Sequence, residues 1–390
     1  MKIDEAHIMV VGCGALGNEV LKNLALMGVQ HLVIVDFDHV ESDNLSRSVL
    51  FSQEDAATGR RKVDAAAKRL KELNPTMEIE TIFGDIAYDV GLGFIRCMDV
   101  VIGCVDNRWA RYCINRLCMR AGKPWVDGGI DGLEGTARVF MPGENCYACN
   151  LGPEGLKDMA RRMPCAGAIR RDIAAGKAPT TSIVASIIGA VEVQEAMKII
   201  NDTVNDNLSP FTSHLSPFTS HLSPFTSHLS PFTSHLSPST SLCGNMFYYE
   251  GEHLTTKLVK FKAFDDDCPV HEKWSPIEKS TLNRENTVAE LLNEQKVGFS
   301  LGDDCFVDYV VRRDDNSRWK VMLPSHKVSA FVETDEQLKG IPLSGFYQHE
   351  WREINMDFPY QKLKLSELGI PAKAVLKMNL ESDYRYVEIQ

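Results

Sequence analysis

The sequence predicts an α/β protein: an open, mostly parallel sheet with helices on both faces, followed by a small C-terminal α+β domain. Three observations carry this. Residues 8–36 read as an apolar strand, IMVVG, a glycine-rich turn, GCGALG, a helix through Met27 and a second apolar strand, LVIVD. The pattern recurs in DVVIGCVD (99–106), NRWARYCINRLCMRAG (107–122, with a glycine stop) and KPWVDGG. From about Ser275 the composition becomes polar and mixed, with a Val/Leu strand-helix pattern ending in LKLSELGIPAKAVLKM. Short continuous apolar strands that alternate with helical segments suit a parallel sheet, whose strands are covered on both faces.

Beyond the third strand, TARVFMPGENCYAC leads into a stretch without periodicity from Leu151 to Pro179, long enough to predict a functional loop. TTSIVASIIGAVEVQEAMKII predicts a strong helix. A tandem repeat comes next: LSPFTSH four times from Leu208 to His235, closed by LSPSTSL. A seven-residue period invites a coiled-coil reading, but a proline in every copy removes a helix hydrogen bond and clashes with the preceding turn. The repeat has no charge and one phenylalanine per full copy, too little apolar surface to offset ordering entropy, so it is expected to be a disordered insertion that costs the fold little. A metal tract through His214, His221, His228 and His235 lacks close spacing. GNMFYYEG and LTTKLVKF predict a hairpin. The expected organisation is a first domain of residues 1–202 and 243–272 with a loop at 151–180, an insertion at 203–242 and a C-terminal domain at 275–390.

Composition narrows the function. At 390 residues the chain can hold two or three cores. A formal charge of −11 without long Lys/Arg runs disfavours nucleic acid and polybasic membrane anchoring. The acidic N-terminus does not read as a signal peptide, and no apolar run reaches spanning length, which predicts a cytoplasmic protein. Most of the 11 cysteines, among them Cys97, Cys104, Cys113 and Cys118, sit in apolar patterns and are expected to be buried free thiols. Cys146 and Cys149 stand apart at CxxC spacing, which serves either a redox couple or half a zinc site.

The turn after the first strand is GxGxxG, with Gly12, Gly14 and Gly17. Between strand and helix this motif brings backbone amides at a positive helix end against a phosphate. Alone it fits a nicotinamide enzyme equally well, and Asp36 would accept hydrogen bonds from ribose hydroxyls in either case. Residues just beyond Asp36 separate the two. DFDHVESDNLSRSVLF supplies Asn44 and Arg47, and TGRRK supplies Arg61 and Lys62. A cluster of cations suits ATP, whose leaving pyrophosphate develops charge, better than a dinucleotide. Asp106 ends the opposite strand, where a lone carboxylate can hold magnesium.

Taken in order, VVGCGALGNEVLKNLALMGV, IVDFDHVESDNLSRSVLF, GRRK, VDNRWARYCIN and DGGIDGLEGTARVFMPGENCYAC resemble the adenylating domain shared by ubiquitin-activating enzymes and the bacterial ThiF and MoeB sulfur-carrier activators. The resemblance spans about residues 7–202 and 244–272. It implies a Rossmann-like adenylation domain in which the C-terminal glycine carboxylate of a ubiquitin-like protein attacks the α-phosphorus of ATP. On the matching positions, Gly12, Gly14 and Gly17 would lie against the nucleotide, Asp36 on the ribose, and Asn44, Arg47 and Lys62 on the phosphates. Asp106 would bind magnesium with Asn107 beside it, and Arg111 belongs to the same pattern. Asp38 has a structural and a catalytic reading of equal weight. Two departures stand out: Ser48 replaces a glutamine, and the chain starts almost on its first strand, without the helix whose arginine reaches a partner's site in homodimeric relatives. Catalytic subunits of heterodimeric activators share that brevity, so a dimer, hetero- or homo-, is expected.

Cys165 lies in the aperiodic segment, where activators of the ubiquitin type place their thioester cysteine. Arg161, Arg162, Arg170 and Arg171 around it would favour the thiolate. Sulfur-carrier activators can carry a cysteine nearby without a thioester, so that alternative stands, as does a non-catalytic binding subunit. Relatives with CxxC after this strand close a zinc site downstream, which implies Cys146, Cys149, Cys268 and His271 as the ligand set, with Cys243 as competitor. The redox reading is the weaker one because the pair is not expected at a helix start. The C-terminal domain resembles the ubiquitin-like fold domain of modifier-activating catalytic subunits, which would recruit a conjugating enzyme.

Overall fold

The computed structural model describes residues 3–152, 155, 181–212, 242–301, 306–312, 318–324 and 347–390. Strands β1 (His7–Val11), β2 (His31–Asp36), β3 (Glu78–Phe83), β4 (Val100–Gly103) and β5 (Trp125–Asp131) are mutually parallel. Strands β6 (Glu134–Phe140), β7 (Asn245–Glu250) and β8 (Thr255–Lys260) extend the same sheet antiparallel. The eight strands lie in the order β3-β2-β1-β4-β5-β6-β7-β8. The strand order reverses between β1 and β4, and a crevice opens at such a switch point beyond the carboxyl ends of the strands.

Period-two alternation distributes the core. Ile8 and Val10 of β1, with Leu32 and Ile34 of β2, face the helices α1 (Ala15–Leu26), α3 (Lys62–Leu73) and α6 (Ser182–Thr212). Met9, Val11, Val33 and Val35 face the other layer, built by α4 (Leu92–Arg96), α5 (Arg108–Ala121) and the Trp125–Phe140–Tyr147 aromatic group. The short α2 (Gln53–Thr58) starts in a Ser52/Asp55 capping box and stops at Gly59 in the left-handed region, so its ends are satisfied locally.

Three expectations need correction. The helix after the aperiodic segment runs to Thr212, through the start of the supposed insertion and the first LSPFT of the repeat. No proline or glycine interrupts residues 202–209, and Pro210 falls in the last turn, so the hydrogen bond its missing N–H removes lies at the end of the helix and not in its interior. The remainder of the repeat lies outside the described residues. Cys97 is exposed, because it caps the C-terminal end of α4, whereas Cys13, Cys104, Cys113 and Cys118 are buried free thiols. Cys146 immediately precedes helical residues 147–152, so the CxxC pair does stand at a helix start.

The C-terminal region is α+β. Helix α7 (Val288–Gln295) begins in a Thr287/Glu290 capping box and buries Val288, Leu291 and Leu292. It packs with a sheet of five strands: β9 (Ile277–Lys279), β10 (Phe299–Ser300), β14 (Glu353–Ile354), β15 (Val375–Asn379) and β16 (Tyr384–Glu388). Their order is β14-β10-β15-β16-β9, and β9 runs parallel to the last strand, β16. Strands β11 (Phe306–Arg312), β12 (Arg318–Pro324) and β13 (Tyr347–Trp351) form a separate three-stranded sheet. This region rests on α4: a Cβ at Gly91 would lie 2.2 Å from the Ala372 carbonyl, and the Gly93 N–H donates to Lys373 O at 2.9 Å. Arg96 pairs with Glu388 across the same contact.

Candidate active site and metal clasp

The glycine turn fills the crevice at the switch point. Gly12 has φ 99°, and a Cβ there would lie 2.5 Å from Cys104 O at the end of β4. A Cβ on Gly17 would lie 1.9 Å from Gly12 O, so both positions demand glycine for backbone-to-backbone packing. Gly14 is different: it caps α1, and nothing comes within 4 Å of the Cβ position. The turn therefore presents an open cradle at a helix N-terminus, which is where phosphate fits.

Asp36, at the end of β2, closes one side. Its carboxylate accepts the Cys13 N–H at 2.6 Å and the Asp38 N–H at 2.7 Å. Burial pushes its pKa above the usual carboxylate range, against the pull of Lys62 and the two backbone donors. Lys62 opens α3 with a side chain only 11% exposed, and its Nζ lies 2.8 Å from Asp38 Oδ2. Burial opposes the charge on Lys62, yet the Asp36 and Asp38 carboxylates outweigh it and hold the ammonium above the ordinary lysine range. The folded pKa of this lysine is raised, so its contribution is intact at neutral pH and lost only as pH rises through that elevated value. Asp38 accordingly has a definite structural role, as the partner of Lys62.

Asn44 is buried, and its Oδ1 accepts the Glu41 N–H at 3.0 Å in the capping box of a 3-10 turn, Ser42–Ser46. Arg47 comes directly after that turn, its Nη1 donating to Asp43 O at 2.9 Å. Ser48, where a glutamine was expected, is buried, and its hydroxyl has no hydrogen-bond partner among the described residues. On the opposite wall Asp106 is exposed and accepts from Asn107 Nδ2 at 3.2 Å. Asn107 also caps α5, its Oδ1 accepting the Ala110 N–H at 2.8 Å, so it orients Asp106 from a fixed helix end. One solvent-facing carboxylate suits magnesium, which keeps most of its waters.

Arg111 is not at the surface of this site. It lies behind it, donating from Nε to Asp127 Oδ1 at 2.9 Å and from Nη2 to the carbonyls of Val105 (2.7 Å) and Gly128 (2.9 Å). Asp127 is fully buried and also pairs with Arg138. Glu192 of α6 closes this layer, also fully buried: a Cβ on Gly128 would lie 2.4 Å from its carboxyl carbon, and its Oε1 has no partner among the described residues. Burial, and next the Asp127 carboxylate, push the Glu192 pKa well above the usual carboxylate range. Burial likewise keeps the Cys13 and Cys104 thiols protonated, which excludes them as nucleophiles.

The predicted metal ligands come together. Cys146, Cys149, Cys268 and His271 place their ligand atoms within 4.8 Å of one another. The Sγ separations are 3.6 Å for Cys146–Cys149 and 3.8 Å for Cys146–Cys268, and Cys149 Sγ lies 3.3 Å from His271 Nε2. A tetrahedral ion with Zn–S bonds of about 2.3 Å needs sulfurs about 3.8 Å apart, and the two Sγ separations given match that spacing, so the set fits zinc. A hydrogen bond from Cys268 draws the Cys146 thiol below the ordinary cysteine range. Phe264 stacks on the His271 ring at 4.3 Å. Cys243 bridges to Val139 of β6, away from this cluster. Cys165 and its arginines lie outside the described residues.

Sequence reasoning missed Asn18, Asp127, Arg138 and Glu192. A buried asparagine one residue past the glycine motif, and acids inside an apolar helix and strand, were the available signals.

The sequence model of the ThiF family matches residues 1–270. The chain is 34% identical over 151 residues to the SUMO-activating enzyme subunit uba-2 of Caenorhabditis elegans, covering 38% of this chain and 25% of that protein. It is 38% identical over 150 residues to the adenylyltransferase and sulfurtransferase MOCS3 of Mus musculus, covering 38% of this chain and 32% of the relative. It is 32% identical over 197 residues to the SAMP-activating enzyme E1 of Haloferax volcanii, covering 50% of this chain and 68% of that one. The chain thus spans only a quarter to a third of the first two relatives. Among solved structures, E. coli MccB with ATP aligns at a TM-score of 0.49 and 19% identity, over 70% of this chain and 68% of MccB. No helix among the described residues is long and apolar enough to cross a membrane.

Proposed function

We propose that this chain, which belongs to the ThiF family, is an ATP-dependent adenylating enzyme that activates the C-terminus of a ubiquitin-like or sulfur-carrier protein. The observation that carries the reading is the convergence at the switch point: an open glycine cradle, the Asp36 carboxylate bonded to its backbone, and a buried, fully charged Lys62 held by Asp38. Asp36 retains lone pairs for ribose hydroxyls beyond the two it gives to backbone N–H groups. Lys62 and Arg47 neutralise phosphate charge, Asn44 fixes the turn that carries Arg47, and Asp106, oriented by Asn107, holds magnesium on the leaving side. In the reaction a substrate carboxylate oxygen forms a bond to the α-phosphorus and the bond to the bridging oxygen of pyrophosphate breaks. The products are an acyl-adenylate and pyrophosphate.

In the first form of this proposal the Cys165 thiolate then attacks the acyl carbon, AMP leaves, and a thioester results. Similarity to the SUMO-activating enzyme subunit uba-2 supports it, as do the arginines flanking Cys165. A sulfur-carrier substrate without a thioester is the second reading, supported by the name of MOCS3. A non-catalytic binding subunit is disfavoured by the intact Arg47, Lys62 and Asp106. Zinc at Cys146, Cys149, Cys268 and His271 plays no part in the chemistry; it clasps the end of β6 to the chain beyond β8. Dimerisation, a conjugating-enzyme partner for a ubiquitin-like C-terminal domain, and a cytoplasmic location complete the proposal. Incubation with ATP, magnesium and candidate carriers, resolved on a non-reducing gel, tests the thioester. A thiol-sensitive adduct lost in Cys165→Ala is expected; an adduct that persists in that variant refutes the assignment.

A further inference from the structure

The glycine cradle and the segment that bears Arg47 are about 30 residues apart in sequence and are bridged by the side chain of Asn18. Asn18 lies in the first turn of α1 and is fully buried. Its Nδ2 donates to Cys13 O at 2.8 Å and to Gly14 O at 3.1 Å, the two carbonyls of the open part of the cradle. Its Oδ1 accepts the Leu50 N–H at 2.8 Å, three residues beyond Arg47. Both amide hydrogens and the carbonyl are therefore used. A backbone donor and two backbone acceptors from two separate segments are satisfied by a group that no solvent reaches. Leu50 is itself buried in the core, so this end of the latch is fixed.

A buried asparagine is costly unless its hydrogen bonds are made, and when made they fix geometry. The fixed geometry here is the offset between the turn that meets a nucleotide and the strand of chain that presents Arg47. We propose that Asn18 is a positioning residue for nucleotide binding: it latches the glycine cradle to the Arg47 segment, so that both meet the same triphosphate. This rests on the adenylating role proposed above. Asn18 touches no reacting atom; it acts through Arg47.

A double-mutant cycle on Mg–ATP binding tests it, using calorimetry on the full chain as wild type, Asn18→Ala, Arg47→Ala and the pair. Asn18→Ala should weaken ATP about tenfold or more, the scale of one to two lost buried hydrogen bonds. In the Arg47→Ala background the same change should cost less than about threefold, because the latch then has nothing to aim. Asn18→Ser, too short to span both segments, should behave like Asn18→Ala and serves if alanine does not fold. For wild type, hydrogen exchange should show the Leu50 amide gaining protection with ATP together with residues 12–18. Folded Asn18 variants that bind ATP as wild type does, additive effects in the cycle, or an unchanged Leu50 amide would overturn the latch. A wild type that binds no ATP would overturn the adenylating reading as well, so the two failures are distinguishable.

Discussion

Replacing Cys268 by serine removes one of four metal ligands, and the consequences can be worked from the structure. The four donor atoms lie within 4.8 Å of one another, with two of the sulfur pairs 3.6 and 3.8 Å apart, so wild type should bind one zinc per chain. The clasp joins Cys149 to Cys268 and closes a loop of about 120 residues; loop-closure entropy for that length is worth about 5 kcal/mol if the crosslink is lost. At roughly 2–4 °C per kcal/mol for a domain of this size, Cys268→Ser should lower Tm by on the order of 10 °C or more. Zinc content by elemental analysis should fall from one per chain to about a tenth or less. His271→Ala should act in the same direction, and chelation of wild type should reproduce the loss of Tm. Wild type purified without zinc, or zinc and Tm unchanged in Cys268→Ser, would refute the clasp. A disulfide between Cys146 and Cys149 in wild type would instead favour the redox reading that the helix start at residue 147 keeps open.

The buried charges give two further outcomes. Lys62→Met should leave the fold intact and reduce carrier-dependent turnover of ATP by about 10²-fold or more, the usual effect of removing one preorganised charge from a reacting phosphate; turnover within a few-fold of wild type would contradict its role. Glu192→Gln should gain Tm relative to wild type as pH rises above the ordinary glutamate range. Its folded pKa is raised, so between the unfolded value and that elevated value the folded state holds a proton the unfolded chain releases, and stability falls as pH rises. The amide abolishes that slope; a pH-independent difference in Tm would contradict a raised Glu192 pKa.

The β1–α1–β2 unit was legible because its strands are apolar on both faces and its turn carries glycines at fixed offsets. The metal set was legible only through the family pattern, since Cys146 and Cys268 are separated by most of the antiparallel extension and the whole insertion. Residues with tertiary roles were not legible. Nothing local marks Asn18 as a bridge to Leu50, or Asp127 as the shared partner of Arg111 and Arg138, because each depends on strands and helices that meet only in the fold. Strand β3 also escaped notice: EIETIF breaks its alternation at Thr81 and stays partly to fully accessible at the sheet edge. The helix beyond residue 202 was not legible because a proline in every repeat copy argues against helix, although the prolines begin only at Pro210.

ATP–pyrophosphate exchange tests the central claim most directly. With purified chain, Mg–ATP, labelled pyrophosphate and a panel of ubiquitin-like and sulfur-carrier proteins, the account predicts label entering ATP only when a carrier is present. Exchange should vanish when that carrier's C-terminal glycine is removed, and it should fall sharply in Lys62→Met. No exchange with any carrier, or exchange indifferent to the carrier's C-terminus, would contradict it.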